Sequence, residues 1–217
     1  MLTLYFHPLA SYCWKALIAL YEHDMSFEKR VIDLADEAQR AELESLWPLG
    51  RFPVLRTESR VVVESSIIVE WIDRQEGSSR VLMPRDGDAA LEVRLWDRVF
   101  DHYVQTPVQS IVADRLRNTN GDLSGAHATL ATTYALIEKQ LEVSQWIVGD
   151  AFSAADCAAA PALFYARTLQ AFPRHLPRLG TYFERLVERP SVRRTIEEAK
   201  PYFRLYPFEA ALETRFR

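Results

Sequence analysis

Short apolar runs and helix-prone segments alternate along the first third of the chain. Four runs predict β-strands because they are short, rich in β-branched or aromatic residues and bounded by turn residues. They are Leu2–Phe6, Phe27–Ile32, Val54–Leu55 and Val61–Val63. A segment with helical spacing or strong helix preference follows the first, second and fourth runs. The predicted order is therefore βαβαββα, in which a βαβ unit and a hairpin share one mixed sheet.

The remainder of the chain shows only helical spacing. The predicted fold is therefore a thioredoxin-like α/β domain joined to an all-helical domain. The stretch from Glu76 to Asp88 is rich in Gly, Ser, Asp and Pro, which is typical of a linker. We expect a first domain at residues 1–76, a linker at 77–87 and a helical domain at 88–217. Pro107 is expected to end or kink the first long helix of the second domain.

Glu64 and Ser65 stand where the fourth predicted strand meets a helix. Ser65 is predicted to be the N-cap, just before the helix-spaced residues Ile67, Ile68 and Trp71. A helix N-terminus binds carboxylates through its free N–H groups and its dipole. The serine hydroxyl would add one donor, and Glu64 would accept from an ammonium group. Together they predict a site for an α-amino acid.

Pro53 begins the third predicted strand, where a proline lacks the N–H that a ladder needs. A cis peptide bond before Pro53 would fit a functional turn. Such a turn would expose the N–H and C=O of Phe52 to a peptide lying alongside as an extra strand. The amino-acid site and this edge together predict a small peptide ligand.

Composition narrows the function classes. The 217 residues are 48% hydrophobic and carry a net charge of −4 with both signs mixed, so we expect no nucleic-acid partner. Two cysteines, Cys13 and Cys157, fit a reducing compartment, and the N-terminus lacks the pattern of a signal peptide. No apolar run approaches about 18 residues, so no membrane span is expected. The cysteines and the N-terminus therefore predict a cytoplasmic protein. We expect no metal site, because the histidines show no metal-ligand spacing.

The residues around Pro53 also carry a family resemblance. PLGRFPVL, followed by VVESSIIVEWID, resembles the glutathione-binding half of the glutathione S-transferases. The resemblance implies a homodimer that uses glutathione as co-substrate and conjugates its thiolate to a small hydrophobic electrophile. It also implies that glutathione is held by Arg51, Phe52, Pro53, Glu64 and Ser65, with Arg51 on the glycine carboxylate.

The start of the first helix departs from the family pattern. ASYCWKALIAL resembles the zeta-class run, but Ala10 stands where the catalytic serine is usual. We expect Ser11 to be the thiol partner, with a plain helix cap as its alternative role. Cys13 is the second catalytic candidate, through a mixed disulfide with glutathione, and a buried apolar filler is its alternative role.

The resemblance places the electrophile pocket along the first long helix of the second domain. The expected lining residues are Tyr12, Phe100, Tyr103, Val104, Pro107 and Ile111. Two alternative functions stay open. One is glutathione-dependent thiol transfer, reduction or isomerisation through Cys13, and the other is a non-catalytic glutathione- or ligand-binding module, which Ala10 keeps in consideration.

Overall fold

A four-stranded mixed sheet forms the first part of the protein. The computed structural model describes residues 1–75 and 81–217. The strands β1 (Thr3–Phe6), β2 (Glu28–Val31), β3 (Val54–Arg56) and β4 (Val61–Val63) lie in the order β2-β1-β3-β4. β1 pairs in parallel with β2 and antiparallel with β3, and β3 pairs antiparallel with β4. The intervening helices are α1 (Ser11–Glu22), α2 (Glu37–Leu46) and α3 (Ser65–Asp73), so the predicted βαβαββα order is confirmed.

The second part is helical in the residues described. Its helices are α4 (Gly87–Val99), α5 (Thr106–Arg117), α6 (Ser124–Gln140), α7 (Ala154–Leu169), α8 (Pro177–Glu188) and α9 (Pro190–Ala199). A π-helical segment, Phe100–Gln105, joins α4 to α5, and Pro107 lies in the first turn of α5. The predicted all-helical second domain is therefore confirmed. Residues 76–80, which include the start of the predicted linker, lie outside the described residues, and the predicted domain boundaries stay predictions.

Helix α1 is packed between the two parts of the molecule. All of its residues except Tyr12 are buried, and it contacts α3 on one side and α7 on the other. The Trp14 indole N–H donates to the Pro8 carbonyl at 2.5 Å, and the ring packs against Phe164 and Tyr165. These contacts fix the N-terminus of α1 relative to α7.

An ion pair and two hydrogen bonds also join the sheet part to the helical part. The guanidinium of Arg189 donates to both carboxylate oxygens of Glu22, at 2.7 and 2.6 Å. Asp73, at the end of α3, accepts from the backbone N–H groups of Leu82 and Met83 at 2.6 and 3.2 Å. These contacts hold the start of the helical part against the sheet.

Residues 1–75 and 81–217 contain neither a helix that could span a membrane nor a cluster of metal-ligating side chains. No helix there is both long and apolar enough to cross a membrane. No group of three or more histidine, cysteine, aspartate or glutamate side chains there is arranged to hold a metal ion. Both cysteines are buried free thiols.

The N-terminus of α7 is held by a buried carboxylate. Ser153 and Asp156 form the capping box that the sequence predicts. Asp156 also accepts from the Ile147 backbone N–H at 3.1 Å and the Tyr182 hydroxyl at 2.6 Å, and it is fully buried. This carboxylate therefore connects α7, α8 and the loop before α7.

We predict that Asp156→Ala destabilises the protein by about 3 kcal/mol, because several buried donors lose their acceptor together. The matched control is Asp122→Ala, which removes an exposed carboxylate that accepts from the Ser124 backbone N–H. The control should cost about 0.5–1 kcal/mol. Thermal unfolding monitored by circular dichroism measures both, and equal melting temperatures for the two variants would contradict the proposed role of Asp156.

Candidate active site

A cleft of about 570 Å³ lies between the two parts of the molecule. One wall is built by the N-termini of α1 and α3 and by the loop before β3. The opposite wall is built by the end of α4, the π-helical segment, α5 and the C-terminal segment around Leu205–Pro207. The sheet part therefore supplies helix N-termini, and the helical part supplies side chains that face them.

Ser11 is the first residue of α1 and lines the cleft. The N-cap is Ala10, with φ −80° and ψ 114°, so the alternative role of Ser11 as the cap is wrong. The Ser11 side chain is 7% exposed and makes no hydrogen bond to the part of the chain that is described. Its hydroxyl therefore stands beside the positive end of α1 without a partner there.

The N-terminus of α3 has a similar arrangement. Glu64 is the N-cap and Ser65 is the first helical residue, so the predicted N-cap position of Ser65 is wrong by one residue. Glu64 has φ 64° and ψ 120°, a conformation that is unfavourable for a side chain other than glycine and costs about 1–3 kcal/mol. This conformation turns the exposed Glu64 side chain and the buried Ser65 into the same cleft.

The loop before β3 forms the neighbouring wall. The Phe52–Pro53 peptide bond is cis, as the sequence predicts. β3 begins at Val54, so Phe52 lies outside the ladder, and its peptide groups bond to none of the described residues. Arg51, Phe52 and Pro53 all line the cleft, and Arg51 is exposed.

Cys13 does not belong to the cleft. It is fully buried on the first turn of α1, where it contributes to the hydrophobic core. Burial raises the pKa of the Cys13 thiol far above its ordinary value, so the thiol stays neutral. The burial of Cys13 fits its alternative role as a buried apolar filler and does not fit a catalytic thiol.

The predicted electrophile pocket is largely corrected. Tyr12 lines the cleft, but Phe100, Val104, Pro107 and Ile111 are buried away from it, and Tyr103 is 54% exposed outside it. The physical reason is that Phe100, Val104 and Ile111 lie on the apolar face of this wall, which packs into the hydrophobic core. The residues that line the cleft recur at helical spacing on another, more polar face, from Arg98 to Val112.

Several cleft residues were missed by the sequence analysis. The helical wall presents Arg98, Asp101, His102, Gln105, Val108, Gln109 and Val112, and α7 contributes Tyr165. A signal was present, because Arg98, Asp101, His102 and Gln105 are polar residues three or four positions apart. That spacing places them on one helical face.

A buried cluster of charges lies beneath the cleft. The Lys15 ammonium group is 2.5 Å from Asp97 Oδ1 and 2.9 Å from Asp101 Oδ2, and it donates to Ser66 Oγ at 2.8 Å. Ser66 donates to Asp97 Oδ2 at 2.8 Å, and Arg98 pairs with the same oxygen at 2.7 Å. Lys15 thus joins α1, α3 and the helical wall in one network.

The two carboxylates of this cluster differ in proton affinity. Burial acts to raise the pKa of Asp97, but the Lys15 ion pair and the Ser66 hydrogen bond outweigh it and hold this pKa below its ordinary value. Burial keeps the pKa of Asp101 above its ordinary value even though Lys15 opposes the shift. Burial and then Asp101 raise the pKa of Tyr12 to about 12, so the Tyr12 hydroxyl is protonated at neutral pH.

Comparisons with known proteins agree with this geometry. The family models described as "Glutathione S-transferase, N-terminal domain" and "Glutathione S-transferase, C-terminal domain" match residues 4–80 and 108–190. The chain belongs to the glutathione S-transferase family. It is of the cytosolic type, and its fold and relatives identify it as a glutathione S-transferase-like enzyme.

Relatives and solved structures of this family span most of the chain. A glutathione S-transferase of Pseudomonas putida is 24% identical over 159 residues, 72% of this chain and 70% of the relative. A probable maleylacetoacetate isomerase 2 of Drosophila melanogaster is 24% identical over 195 residues, 88% of this chain and 85% of the relative. The structure of a Methylobacterium radiotolerans glutathione S-transferase in complex with glutathione sulfonate has a TM-score of 0.78 and 26% identity, covering 89% of this chain and 93% of that one.

A more distant structure shares the fold alone. It is a delta-class glutathione transferase of Nilaparvata lugens, with a TM-score of 0.85 at 18% identity, covering 97% of this chain and 100% of that one. Family membership supports glutathione as the ligand and a glutathione-dependent transferase activity for this enzyme.

We predict that Lys15→Met destabilises the transferase by about 3–5 kcal/mol at pH 7, because Asp101 loses its ion-pair partner and Asp97 keeps only the half-exposed Arg98. Burial already raises the pKa of Asp101 in the folded state, and loss of the opposing Lys15 charge raises it further. Acid therefore stabilises this variant relative to the native protein, and the deficit should narrow between pH 7 and pH 5.

The matched control is Lys29→Met, since Lys29 forms a half-exposed ion pair with Glu198 at 2.6 Å. That pair should contribute about 0–1 kcal/mol with little dependence on pH in this range. Urea unfolding at both pH values measures the two differences. A Lys15→Met deficit that stayed constant or grew towards pH 5 would contradict the assigned role of the cluster.

Proposed function

We propose that this enzyme conjugates the thiolate of glutathione to small electrophiles. The observation that carries the proposal is the pair of serine hydroxyls, Ser11 and Ser65, at the first positions of two helices that face one cleft. Neither hydroxyl has a hydrogen-bond partner within the described residues. Two positive helix ends and two free hydroxyls suit a ligand that carries one carboxylate and one thiolate.

Glutathione fits the first wall of the cleft in one orientation. Its γ-glutamyl carboxylate binds Ser65 and the N-terminus of α3, and its ammonium group binds Glu64. Its cysteinyl peptide pairs with the free N–H and C=O of Phe52 next to Pro53, as an added strand does. Its glycine carboxylate binds the exposed cation Arg51, which has no ion pair within the described chain.

This orientation directs the thiol towards Ser11. A free thiol has a pKa of about 8.5, so only a small fraction is thiolate at neutral pH. The Ser11 hydroxyl and the positive end of α1 stabilise the thiolate and lower the pKa of the bound thiol. The activated sulfur then attacks an electrophile held between Tyr12 and the helical wall. The reaction needs glutathione in its thiol form, which places it in a reducing compartment, the cytoplasm.

Thiol transfer through Cys13 is less well supported. The thiol is fully buried and its pKa is raised, so it offers neither access nor the thiolate that disulfide exchange requires. Isomerisation uses the same activated glutathione thiol, and relatives named maleylacetoacetate isomerase keep it as the second candidate. The carrier alternative predicts glutathione binding without a thiolate.

We predict that Ser11→Ala lowers kcat for conjugation by about 100-fold, because the thiolate loses its hydroxyl donor. The affinity for glutathione, measured by calorimetry, should change little. The ultraviolet absorption of the bound thiolate, present in the native complex at neutral pH, should weaken. Adding Ala10→Ser to the Ser11→Ala variant tests whether a hydroxyl one residue earlier can replace it.

The control for this experiment is Cys13→Ala, which should leave turnover and the thiolate band within about twofold of native, since a buried neutral thiol takes no part. If the native protein binds glutathione but its complex shows no thiolate band, the result would support the carrier alternative. Unchanged turnover in Ser11→Ala would contradict the assignment of Ser11, and loss of turnover in Cys13→Ala would favour the thiol-transfer alternative.

We propose further that the enzyme is a homodimer formed through α3 and α4. Three large apolar side chains, Ile67, Leu91 and Leu95, are 51%, 62% and 59% exposed on these two helices. Glu70 of α3 pairs with Arg94 of α4 at 2.9 and 3.0 Å, which holds the two exposed faces side by side. A contiguous apolar face with a polar rim is typical of a subunit interface.

We predict that the double variant Leu91→Glu, Leu95→Glu is monomeric where the native protein is dimeric, because four carboxylates would meet across the interface. The matched control is Leu136→Glu on α6, a leucine that is 46% exposed away from this face. Size-exclusion chromatography with light scattering measures the mass of each. A native monomer, or a dimer that persists in the double variant, would contradict the proposed interface.

A further inference from the structure

His7 follows β1 and opens the turn that leads into α1. Two hydrogen bonds close this turn. The Ala10 N–H donates to the His7 carbonyl at 3.0 Å, and the Leu9 N–H donates to the His7 ring nitrogen Nδ1 at 3.2 Å. Leu9, Ala10 and Ser11 all line the cleft. The His7 side chain therefore helps to fix the backbone that carries Ser11.

The same imidazole ring contacts two further segments. It stacks on the ring of Phe52, with 6.2 Å between the centroids and 22° between the planes. The Tyr202 ring, in the C-terminal segment, meets it edge-on at 5.8 Å and 74°. Phe52 precedes the cis peptide bond and lines the cleft. One half-buried side chain thus connects the two backbone segments to which the proposed function assigns the thiol and the cysteinyl peptide of glutathione.

The hydrogen bond from Leu9 specifies the protonation state of the His7 ring. A backbone N–H can donate only to a ring nitrogen that carries no proton, so Nδ1 is the acceptor and the neutral ring has its proton on Nε2. Protonation of Nδ1 would place two N–H groups face to face and break the bond. The turn therefore keeps both of its hydrogen bonds only while His7 is neutral.

The surroundings of the ring favour this neutral form. Burial lowers the pKa of His7, and the negative charge of Asp33, in the segment after β2, only partly opposes the shift. The loop before β3 presents Phe52, which does not titrate, and the C-terminal segment presents the ring of Tyr202. His7 is therefore neutral at pH 7 and takes up a proton in mild acid.

We propose that His7 is a positioning residue for glutathione, and that its neutral form holds the Leu9–Ser11 backbone and Phe52 in the arrangement that binds this peptide. The inference rests on the proposed function, since it assumes the same orientation of glutathione. It goes beyond that function by assigning the dependence of affinity on pH to a side chain that does not line the cleft. Protonated His7 releases the Leu9 N–H, so glutathione binds less tightly in acid.

The size of the effect follows from the linkage between protonation and binding. If only the neutral form binds, the dissociation constant increases by the factor 1 + 10^(pKa − pH), where the pKa is that of His7 in the free protein. At pH 5 this factor would be about 30 for a histidine with the ordinary pKa of 6.5. Because burial lowers the pKa of His7, we expect a smaller loss of affinity, about threefold to tenfold between pH 7.5 and pH 5.

Calorimetric titration with S-methylglutathione measures this affinity. Its methylated sulfur has no proton to release, so the ionisation of the bound thiol does not contribute to the pH profile. The native protein should bind it about threefold to tenfold less tightly at pH 5 than at pH 7.5. His7→Asn should bind it within about twofold of the native affinity at pH 7.5 and show no such loss at pH 5. The asparagine Oδ1 can accept from the Leu9 N–H and does not titrate.

His7→Leu tests the hydrogen bond itself. It should bind S-methylglutathione about threefold to tenfold less tightly than the native protein at pH 7.5, with little further change at pH 5, because the Leu9 N–H has no acceptor at either pH. The matched control is His175→Asn, which removes an exposed histidine outside the cleft and should keep the native pH profile. Melting temperatures at both pH values verify that each variant is folded.

The outcomes separate this inference from the function on which it rests. A native affinity that is equal at both pH values would overturn the inference, as would a His7→Asn variant that keeps the native loss in acid. Native affinity in His7→Leu at pH 7.5 would also overturn it. These results leave the transferase proposal standing, because the ligand binds in each. Native protein that binds neither glutathione nor S-methylglutathione at pH 7.5 would overturn the proposed function, and the inference with it.

Discussion

The buried ammonium group of Lys15 is the contact on which the geometry of the cleft depends. It extends from α1 and meets Asp97 and Asp101 of the helical part as well as Ser66 of α3. The three elements that build the cleft are therefore tied together at one point beneath it. A buried charge tolerates little displacement of its partners, because each lost contact leaves more of the desolvation free energy of the ion uncompensated. The network thus holds the two helix N-termini at a fixed distance from the helical wall.

Packing around α1 gives this network its low-dielectric surroundings. Cys13, Trp14 and the apolar residues after them are buried between α3 and α7. Asp156 stabilises the start of α7, because its buried carboxylate accepts from the backbone N–H groups of Ser153 and, in the preceding loop, Ile147. Among the described residues, the buried side-chain atoms that have neither a hydrogen bond nor an ion pair are Gln105 Oε1 and the Tyr165 hydroxyl, and both residues line the cleft. The packing of α1 and the hydrogen bonds of Asp156 stabilise the fold, and this stability offsets the free-energy cost of polar side chains without hydrogen-bond partners at the site.

The sequence was sufficient for most of the fold and for half of the site. The strands, α7 with its capping box and the cleft wall formed by residues 51–53, Glu64 and Ser65 were predictable, because local signals agree with each other there. These signals are the β-branched runs, Ser153 with Asp156, and Pro53 before Glu64. The helical wall was not predicted, because the apolar face of this helix was assigned to the pocket, whereas that face packs into the core and the more polar face lines the cleft. The Lys15 cluster was missed because Ser66 and Asp101 lie 51 and 86 residues from Lys15 in the chain.

The one-residue displacement at the start of α1 also has a physical interpretation. A serine at the N-cap normally uses its oxygen to accept from the backbone N–H groups of the first turn. A serine at the first helical position has no such bond to make, and Ser11 makes none within the described residues. Ala10 at the N-cap therefore costs the helix a small part of its stability and leaves the Ser11 hydroxyl available to a ligand sulfur. Replacement of the usual serine by Ala10 is thus compatible with thiol activation, because the neighbouring hydroxyl occupies the same positive end of the helix without competing bonds.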